Sequence, residues 1–490
     1  MAVLISTLAK ALRFSILLLS SGLVVLIGLG LGGCRPGAPG RPRLVVLITV
    51  DTLRADHLGA YGSRLALTPA LDQMAREGAR IETAWAPFGR TTQSVGSLLT
   101  GLHPLRHGAD GLGMRLPDTV TTLPEIFSRA GYRTAAFVSN VQLRRGRGFE
   151  QGCDLYSNPQ ARWGSNSAAA ITAEALTWVR AQREDSSPLF LWVHYLDPHW
   201  PYTPEEEFGT VTVDLQAGKD FDLFDAVRSG RLTKGQVIFD ADSILSHEEI
   251  EKVAQLYQAE VAGTDRAIGG LLAGLKATGL MGDGIVLMTA DHGEAMGAHD
   301  YWFAHGEYLY DDTLKVPFLV HAPHRVPAGT LIRGNVSLED VAPTLLDLAG
   351  LAPPPDIDGM SLADMLRSGG VHQVVSRPLV HLTDHNLVHP ENPRRPVSGR
   401  AGRWWALREG SWKLIRMPLG GGQVREELYD LAEDPEESHN LLAEQSVRAQ
   451  RMRRTLEGIA QEWLQLRAPS TDEPVDLEQI ETLRSLGYVD

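Results

Sequence analysis

The sequence predicts an α/β fold: a large, mostly parallel sheet flanked by helices, then a small α+β subdomain with an antiparallel sheet. Three observations carry this. Continuous apolar, β-branched runs recur along the chain, as in strands buried on both faces. Helix-start signals lie between them, the alternation that builds parallel sheets. Near residue 370 the texture changes to short paired runs around a glycine turn.

Leu44 to Thr49 (LVVLIT) is the first such run, and others follow at Thr134–Val138, Leu189–Tyr195, Gly284–Ala290 and Val316–His321. One helix is expected after Thr68-Pro69 and one after Thr121, with Pro124 early in it. A long helix starts at the capping box Ser246-His247-Glu248-Glu249 and runs to about Gly279. Another follows Ser337, with Asp340 at the box position and Gly350 as a stop. Trp404–Arg408, then Glu409-Gly410, then Ser411–Arg416 reads as a hairpin. Glu427–Leu431 would add a third strand, and a helix around 444–466 would cover them.

The chain has 490 residues, with 46 Lys+Arg against 60 Asp+Glu, a net charge of −14. Its 43% hydrophobic and 22% charged residues are ordinary globular composition. The acidic balance lacks the electrostatic footprint of a nucleic-acid binder. Two cysteines exclude a disulfide scaffold or a cysteine-built zinc ribbon. Sixteen histidines keep a His/Asp metal site open.

Lys10 and Arg13 precede an uncharged run from Phe14 to Gly33, which ends in Leu31-Gly32-Gly33-Cys34. A basic start, an apolar stretch and small residues before a cut describe a secretory signal. Leu-Gly-Gly-Cys resembles the bacterial lipobox, which implies acylation of Cys34. About 20 apolar residues also suffice for an uncleaved anchor. Either reading attaches the chain to a membrane and places its bulk outside the cytoplasm, in the periplasm for a lipoprotein. Cys153 would then be an unpaired, buried small hydrophobe. The expected layout is a signal at 1–34, a tether at 35–43, a catalytic domain at 44–369, a subdomain at 370–468 and an acidic tail at 469–490.

Four segments carry candidate chemistry. Asp51 follows the first strand, and sites in open α/β sheets form at strand carboxyl ends; an Asp there also serves as a helix cap. Thr91-Thr92-Gln93-Ser94 opens a short helix, whose first N–H groups and positive dipole end suit an anion. A metal-activated hydroxyl there would attack a sulfur or phosphorus ester, whereas simple capping is the plain alternative. Asp291-His292-Gly293-Glu294 follows the fourth run, with His299 and His305 close behind. Hard carboxylate oxygen with imidazole nitrogen suits zinc or manganese. His194–Tyr202 (HYLDPHWPY) follows the third run. There His199 is the candidate for substrate contact, and His194 reads as a core residue.

Together these segments resemble the sulfatase family of the alkaline phosphatase superfamily. The resemblance runs in order through VDTLRADHLGAYG, SLLTGLHPLRHG, GFEQGCDLY, YLDPHWPY, ADHGE, HGEYLYDDTLKVP, DVAPTLLDLAGL, WKLI, ELYDLAEDPEESHNL and LRSLGYVD. It implies a metal-dependent hydrolase with an alkaline-phosphatase-like domain and a small C-terminal sheet. The departures are specific. Classical sulfatases carry Cys or Ser, converted to formylglycine, where this chain has Thr91, and continue with Pro and Arg where it has Gln93 and Val95. Thr is no precursor of formylglycine. Thr52 replaces a second Asp, and His292 stands where Asn is usual.

These changes resemble the threonine-nucleophile branch, which implies a metal held by Asp51, Thr91, Asp291 and His292. One carboxylate fewer and one imidazole more shifts the preference from calcium toward zinc or manganese. His199 and His305 would neutralise the ester's oxygens or protonate the leaving oxygen. His305 lies near a substrate-contacting Lys of sulfatases. Asp197 would be a ligand to any second metal, and Lys315 aligns with a frequent Arg that supports the fold. The expected partner is a small-molecule, glycan or lipid ester, not nucleic acid. The primary expectation is hydrolysis of sulfate or phosphate esters. The alternatives are transfer of a phosphoryl group from a lipid-linked donor, and a non-catalytic binding module.

Overall fold

The computed structural model describes residues 40–65, 67–111, 114–158, 167–204, 223–383 and 402–469. Contacts divide the chain into Met1–Arg41 and Pro42–Asp490, and the described strands and helices all belong to the second unit. Cys34 and nearly all of the acidic tail lie outside the described residues.

The strands among the described residues are β1 Leu44–Val50, β2 Ala79–Trp85, β3 Arg133–Val138, β4 Leu155–Ser157, β5 Leu189–Tyr195, β6 Ile285–Ala290, β7 Ala295–Met296, β8 Trp302–Ala304, β9 Lys315–Val316, β10 Phe318–His321, β11 Thr330–Ser337, β12 Val371–Gln373, β13 Leu379–Leu382, β14 Trp405–Glu409, β15 Trp412–Gly420 and β16 Gln423–Asp430. Ten form one sheet, in the order β12-β11-β2-β10-β6-β1-β5-β3-β4, with β9 beside β2. Most pairs are parallel. The exceptions involve β10, which runs antiparallel to β2 and β6, and β9, antiparallel to β2. The second sheet is antiparallel, β13-β14-β15-β16. Its fourth strand, β13, is absent from the sequence reading. The small sheet begins at Leu379, while Val371–Gln373 still pairs with β11 of the large one.

The apolar runs explain the centre of the sheet. All positions of β1 are buried between β5 and β6, so a two-faced hydrophobic strand is required there. The capping boxes read at Ser246 and Ser337 form, and the structure adds one at Thr122. Ser246 and Glu249 open the helix His247–Ala277, and Thr122 and Glu125 open Leu123–Arg129. Ser337 and Asp340 open a 3-10 turn that leads into the helix Val341–Leu348.

Register then sets the site. Val50 lies opposite Tyr195 and Ala290, and Val138 opposite His194. Neighbouring strands stand ~4.8 Å apart. Asp51, Asn140 and Asp291 therefore leave the sheet at one carboxyl edge. Backbone bonds from Asp51 N to Tyr195 O (2.9 Å) and Asp291 N to Val50 O (3.3 Å) extend the pairing to that edge.

Cys153 is half-buried against the main core. Burial pushes its thiol up to about 12, with Glu150 and Asp154 adding to the rise. At pH 8 almost none is thiolate. In a Cys34→Ala chain, a disulfide reagent is expected to label the folded protein at least ~100-fold more slowly than the unfolded one. Equal rates would show an exposed, reactive thiol.

Candidate active site

Asp51, Thr91, Asp291 and His292 come together. Asp51, Asp291 and His292 are fully buried, and Thr91 is nearly so. One carboxylate oxygen from each Asp and an imidazole nitrogen of His292 lie within 4.8 Å of one another. His292 Nε2 is 3.5 Å from Asp51 Oδ1 and 3.7 Å from Asp291 Oδ2. Thr91 Oγ1 stands 3.4 Å from Asp51 Oδ2 and 3.5 Å from His292 Nε2.

The backbone presents each group. Thr52 takes a left-handed φ of 53°, turning the chain sharply away behind Asp51. Thr91 is the first residue of the helix Thr91–Thr100, which is buried along its whole length. Ser94 Oγ donates to Phe88 O at 2.6 Å and pins the helix to the preceding loop. Gly96 lets that helix approach His107, because a Cβ there would sit 2.8 Å from the imidazole.

The donor set fits a divalent cation. Asp51 Oδ1 and Asp291 Oδ2 are buried and find no hydrogen-bond partner among the described residues, an arrangement that costs free energy unless something binds there. His292 Nδ1 lies 3.0 Å from Gly293 O. A carbonyl only accepts, so Nδ1 carries the proton and the Nε2 lone pair faces the cluster. Burial alone would raise Asp51, but the His199, His194 and His292 imidazoles hold it at about 2. Burial, with the Asp51 charge beside it, pushes Asp291 up to about 6. Two carboxylates and an imidazole are all donors that divalent cations take.

Three imidazoles follow one another from His292, whose Nε2 is the one beside Thr91. The His292 and His305 rings are 4.4 Å apart, and those of His305 and His199 5.1 Å. His305 Nδ1 lies 2.9 Å from Glu294 Oε1, and His199 Nδ1 2.5 Å from Trp200 O. Both Nδ1 atoms thus donate, which makes Nε2 the unprotonated nitrogen of each neutral ring. Glu294 also accepts from Tyr202 Oη at 3.2 Å.

Asp197 lies outside the metal triad. Its Oδ2 accepts from Ser167 Oγ (2.5 Å) and Ala168 N (2.9 Å), at the start of the helix Ser167–Ala181. His299 stacks on Tyr310 at 3.4 Å and stays outside the metal triad. It lines a separate cavity of about 1320 Å³ with Arg54, Trp85, Asp312, Lys315 and Arg408. None of the Asp51–Thr91 cluster lines that cavity.

Sequence reasoning missed two residues here. Asn140 Nδ2 donates to Asp51 Oδ2 at 2.5 Å and lies 3.4 Å from Thr91 Oγ1. Its position just past a strand of the same sheet was the available signal. His194, read as core, is indeed fully buried, but its Nε2 faces Asp51 Oδ2 at 3.8 Å.

The sulfatase family profile matches residues 43–351, and that of the N-sulphoglucosamine sulphohydrolase C-terminal region matches 297–462. The chain belongs to the sulfatase family, and it is a hydrolase of that family. Among its relatives, an arylsulfatase of Clostridium perfringens is 25% identical over 461 residues, covering 81% of this chain and 90% of the relative. An N-acetylglucosamine-6-O-sulfatase of Bacteroides thetaiotaomicron is 23% identical over 477 residues, 82% of each chain. The crystal structure of a phosphonate monoester hydrolase from Agrobacterium radiobacter shares the fold. Its TM-score is 0.68 at 21% identity, covering 89% of this chain and 99% of that one.

Proposed function

We propose that this chain hydrolyses sulfate or phosphate esters with Thr91 as nucleophile, without formylglycine, and with zinc or manganese held by Asp51, Asp291 and His292. The observation that carries this is the convergence of unpartnered, buried metal-type donors around the Thr91 hydroxyl. A bound divalent cation would acidify that hydroxyl and draw charge from the ester's oxygens. Thr91 Oγ1 attacks the central sulfur or phosphorus while the alcohol oxygen leaves on the opposite side. Asn140, bonded to both Asp51 and the Thr91 hydroxyl, fixes the direction of attack. His305, its Nδ1 held by Glu294, gives the leaving oxygen its proton. His199 neutralises charge on the non-bridging oxygens. The esterified threonine is then released by water. The export segment and Cys34 would hold the enzyme at the periplasmic face of a membrane, with a small-molecule, glycan or lipid ester as substrate.

The test is a matched panel of aryl sulfate, phosphate monoester, phosphodiester and phosphonate, each with Zn²⁺, Mn²⁺ and Ca²⁺. Thr91→Ala is expected to lower kcat by about 10³- to 10⁶-fold, as loss of a nucleophile does. Unchanged hydrolysis in Thr91→Ala, or no divalent metal bound to the wild type, ends the reading. Label passing from a lipid donor to an alcohol acceptor, with none in water-released product, would make it a transferase.

A further inference from the structure

We propose that Arg90 is a positioning residue, one that sets the spacing between Thr91 and His305; the inference rests on the roles proposed for those two residues. Arg90 immediately precedes Thr91 and occupies the helix N-cap position, with an extended backbone and no side-chain cap. Its guanidinium is buried. Nη2 donates to Glu307 Oε1 at 2.6 Å, with the two side chains 5% and 2% exposed. Glu307 Oε2 in turn accepts from the Tyr301 hydroxyl. Tyr301 packs against Tyr308 and Phe239 in the second core cluster.

The crossing of these segments is tight. Gly306 has φ +94°, and a Cβ there would lie 2.5 Å from Arg90 Nε and 2.9 Å from its Cζ. A Cβ on Gly89 would lie 3.2 Å from Gly306 Cα and N. Residues 89–90 and 306–307 therefore cross backbone against side chain with no room for a methyl group. Thr91 is one bond along the chain from one side of this crossing, and His305 one bond from the other. The nucleophile and the proton donor must share a reaction geometry, although 214 positions separate them (305 − 91). The Arg90–Glu307 pair, with both charges buried, ties the two together. A buried pair is costly to break but contributes directional specificity when satisfied on both sides. Among the described residues, the Arg90 side chain bonds to Glu307 and not to the metal triad or Thr91 Oγ1. Its effect is on placement.

Two variants attack the brace independently. Arg90→Ala removes the guanidinium, and Gly306→Ala leaves it in the chain but displaces it. Both are expected to lower kcat on the best panel substrate by about 100-fold, the loss that an ångström-scale misplacement brings. KM and metal affinity are expected to stay within ~3-fold, because binding groups are untouched. Added guanidinium restores part of the Arg90→Ala rate and none of the Gly306→Ala rate, whose cleft is filled. Arg90→Lys recovers little, lacking the planar fork. Unchanged kcat overturns the proposal. So does a loss of kcat that tracks falling metal affinity and thermal stability and is not restored by guanidinium.

A second measurement needs no substrate. In the metal-loaded protein, amide exchange at 91–93 and 305–307 is expected to rise together, about tenfold or more, in both variants. If 91–93 keeps its protection in Gly306→Ala, the brace does not exist. Should the wild type hydrolyse no ester of the panel, the Thr91 mechanism fails and the exchange result still decides the brace.

Discussion

Asp51→Asn is expected to weaken zinc or manganese binding by more than ~100-fold, the upper end for losing a group merely outside a coordination shell. Ester hydrolysis should fall by about 10³-fold with it, since removing one preorganised electrostatic group alone costs that much. The reason is that both oxygens of this carboxylate are engaged, on opposite sides. Oδ1 faces His292 Nε2 at 3.5 Å, on the metal side. Oδ2 accepts from Asn140 at 2.5 Å and stands 3.4 Å from Thr91 Oγ1. An amide of the same shape has only one acceptor. With its NH₂ toward Asn140, two donors collide; with its NH₂ toward His292, a donor faces the metal position. Neither orientation restores the site. Without metal, the variant should be less thermally stable than the wild type, because the imidazoles that hold Asp51 at about 2 lose their charge partner. The signature is a lost metal-induced rise in Tm, measured with the calorimetric affinity. Metal binding as tight as the wild type's would remove Asp51 from the coordination sphere.

Much of this cluster was legible in the sequence, for a physical reason. Asp51 and Asp291-His292 directly follow buried strands, and a two-faced hydrophobic run is the clearest pattern a parallel sheet writes. Its carboxyl end is where polar residues meet. Thr91 stood out because a hydroxyl opens a helix. Asn140 did not, since an Asn after a strand reads as a cap. Indeed its Oδ1 accepts from Gln142 N at 2.7 Å, so one amide both caps a turn and reaches the site. His194 was hidden by its setting in LFLWVHY, where burial is certain and direction is not. Its Nδ1 lies 2.8 Å from the Thr49 hydroxyl, which also accepts from Trp192 Nε1. Only the register of three strands places that network beside Asp51. Asp197 has a partner that its motif could not announce: its Oδ2 accepts from Ser167, 30 positions earlier in the chain.

His305→Ala is expected to separate esters by their leaving groups. For an alkyl ester, kcat/KM should fall by about 10³-fold, within the range of general acid catalysis. For a nitrophenyl ester, whose oxygen departs without a proton, the fall should be less than ~10-fold. The Nδ1 proton of His305 is committed to Glu294 Oε1 at 2.9 Å. Glu294 is itself fixed by Tyr202 Oη at 3.2 Å and by Arg54 Nη1 on its backbone oxygen at 2.8 Å. This chain of bonds holds the ring 4.4 Å from that of His292, whose Nε2 is 3.5 Å from Thr91 Oγ1. Glu294→Gln should reproduce the same leaving-group dependence more weakly, because an amide still holds the ring but no longer stabilises its charged form. His199→Ala should lower both esters alike, since charge on non-bridging oxygens develops whichever alcohol leaves. The plot of log rate against leaving-group pKa therefore steepens in His305→Ala and shifts without steepening in His199→Ala. Parallel lines for both variants would reassign His305 from proton donor to oxyanion contact, and would leave the leaving oxygen's proton to come from solvent.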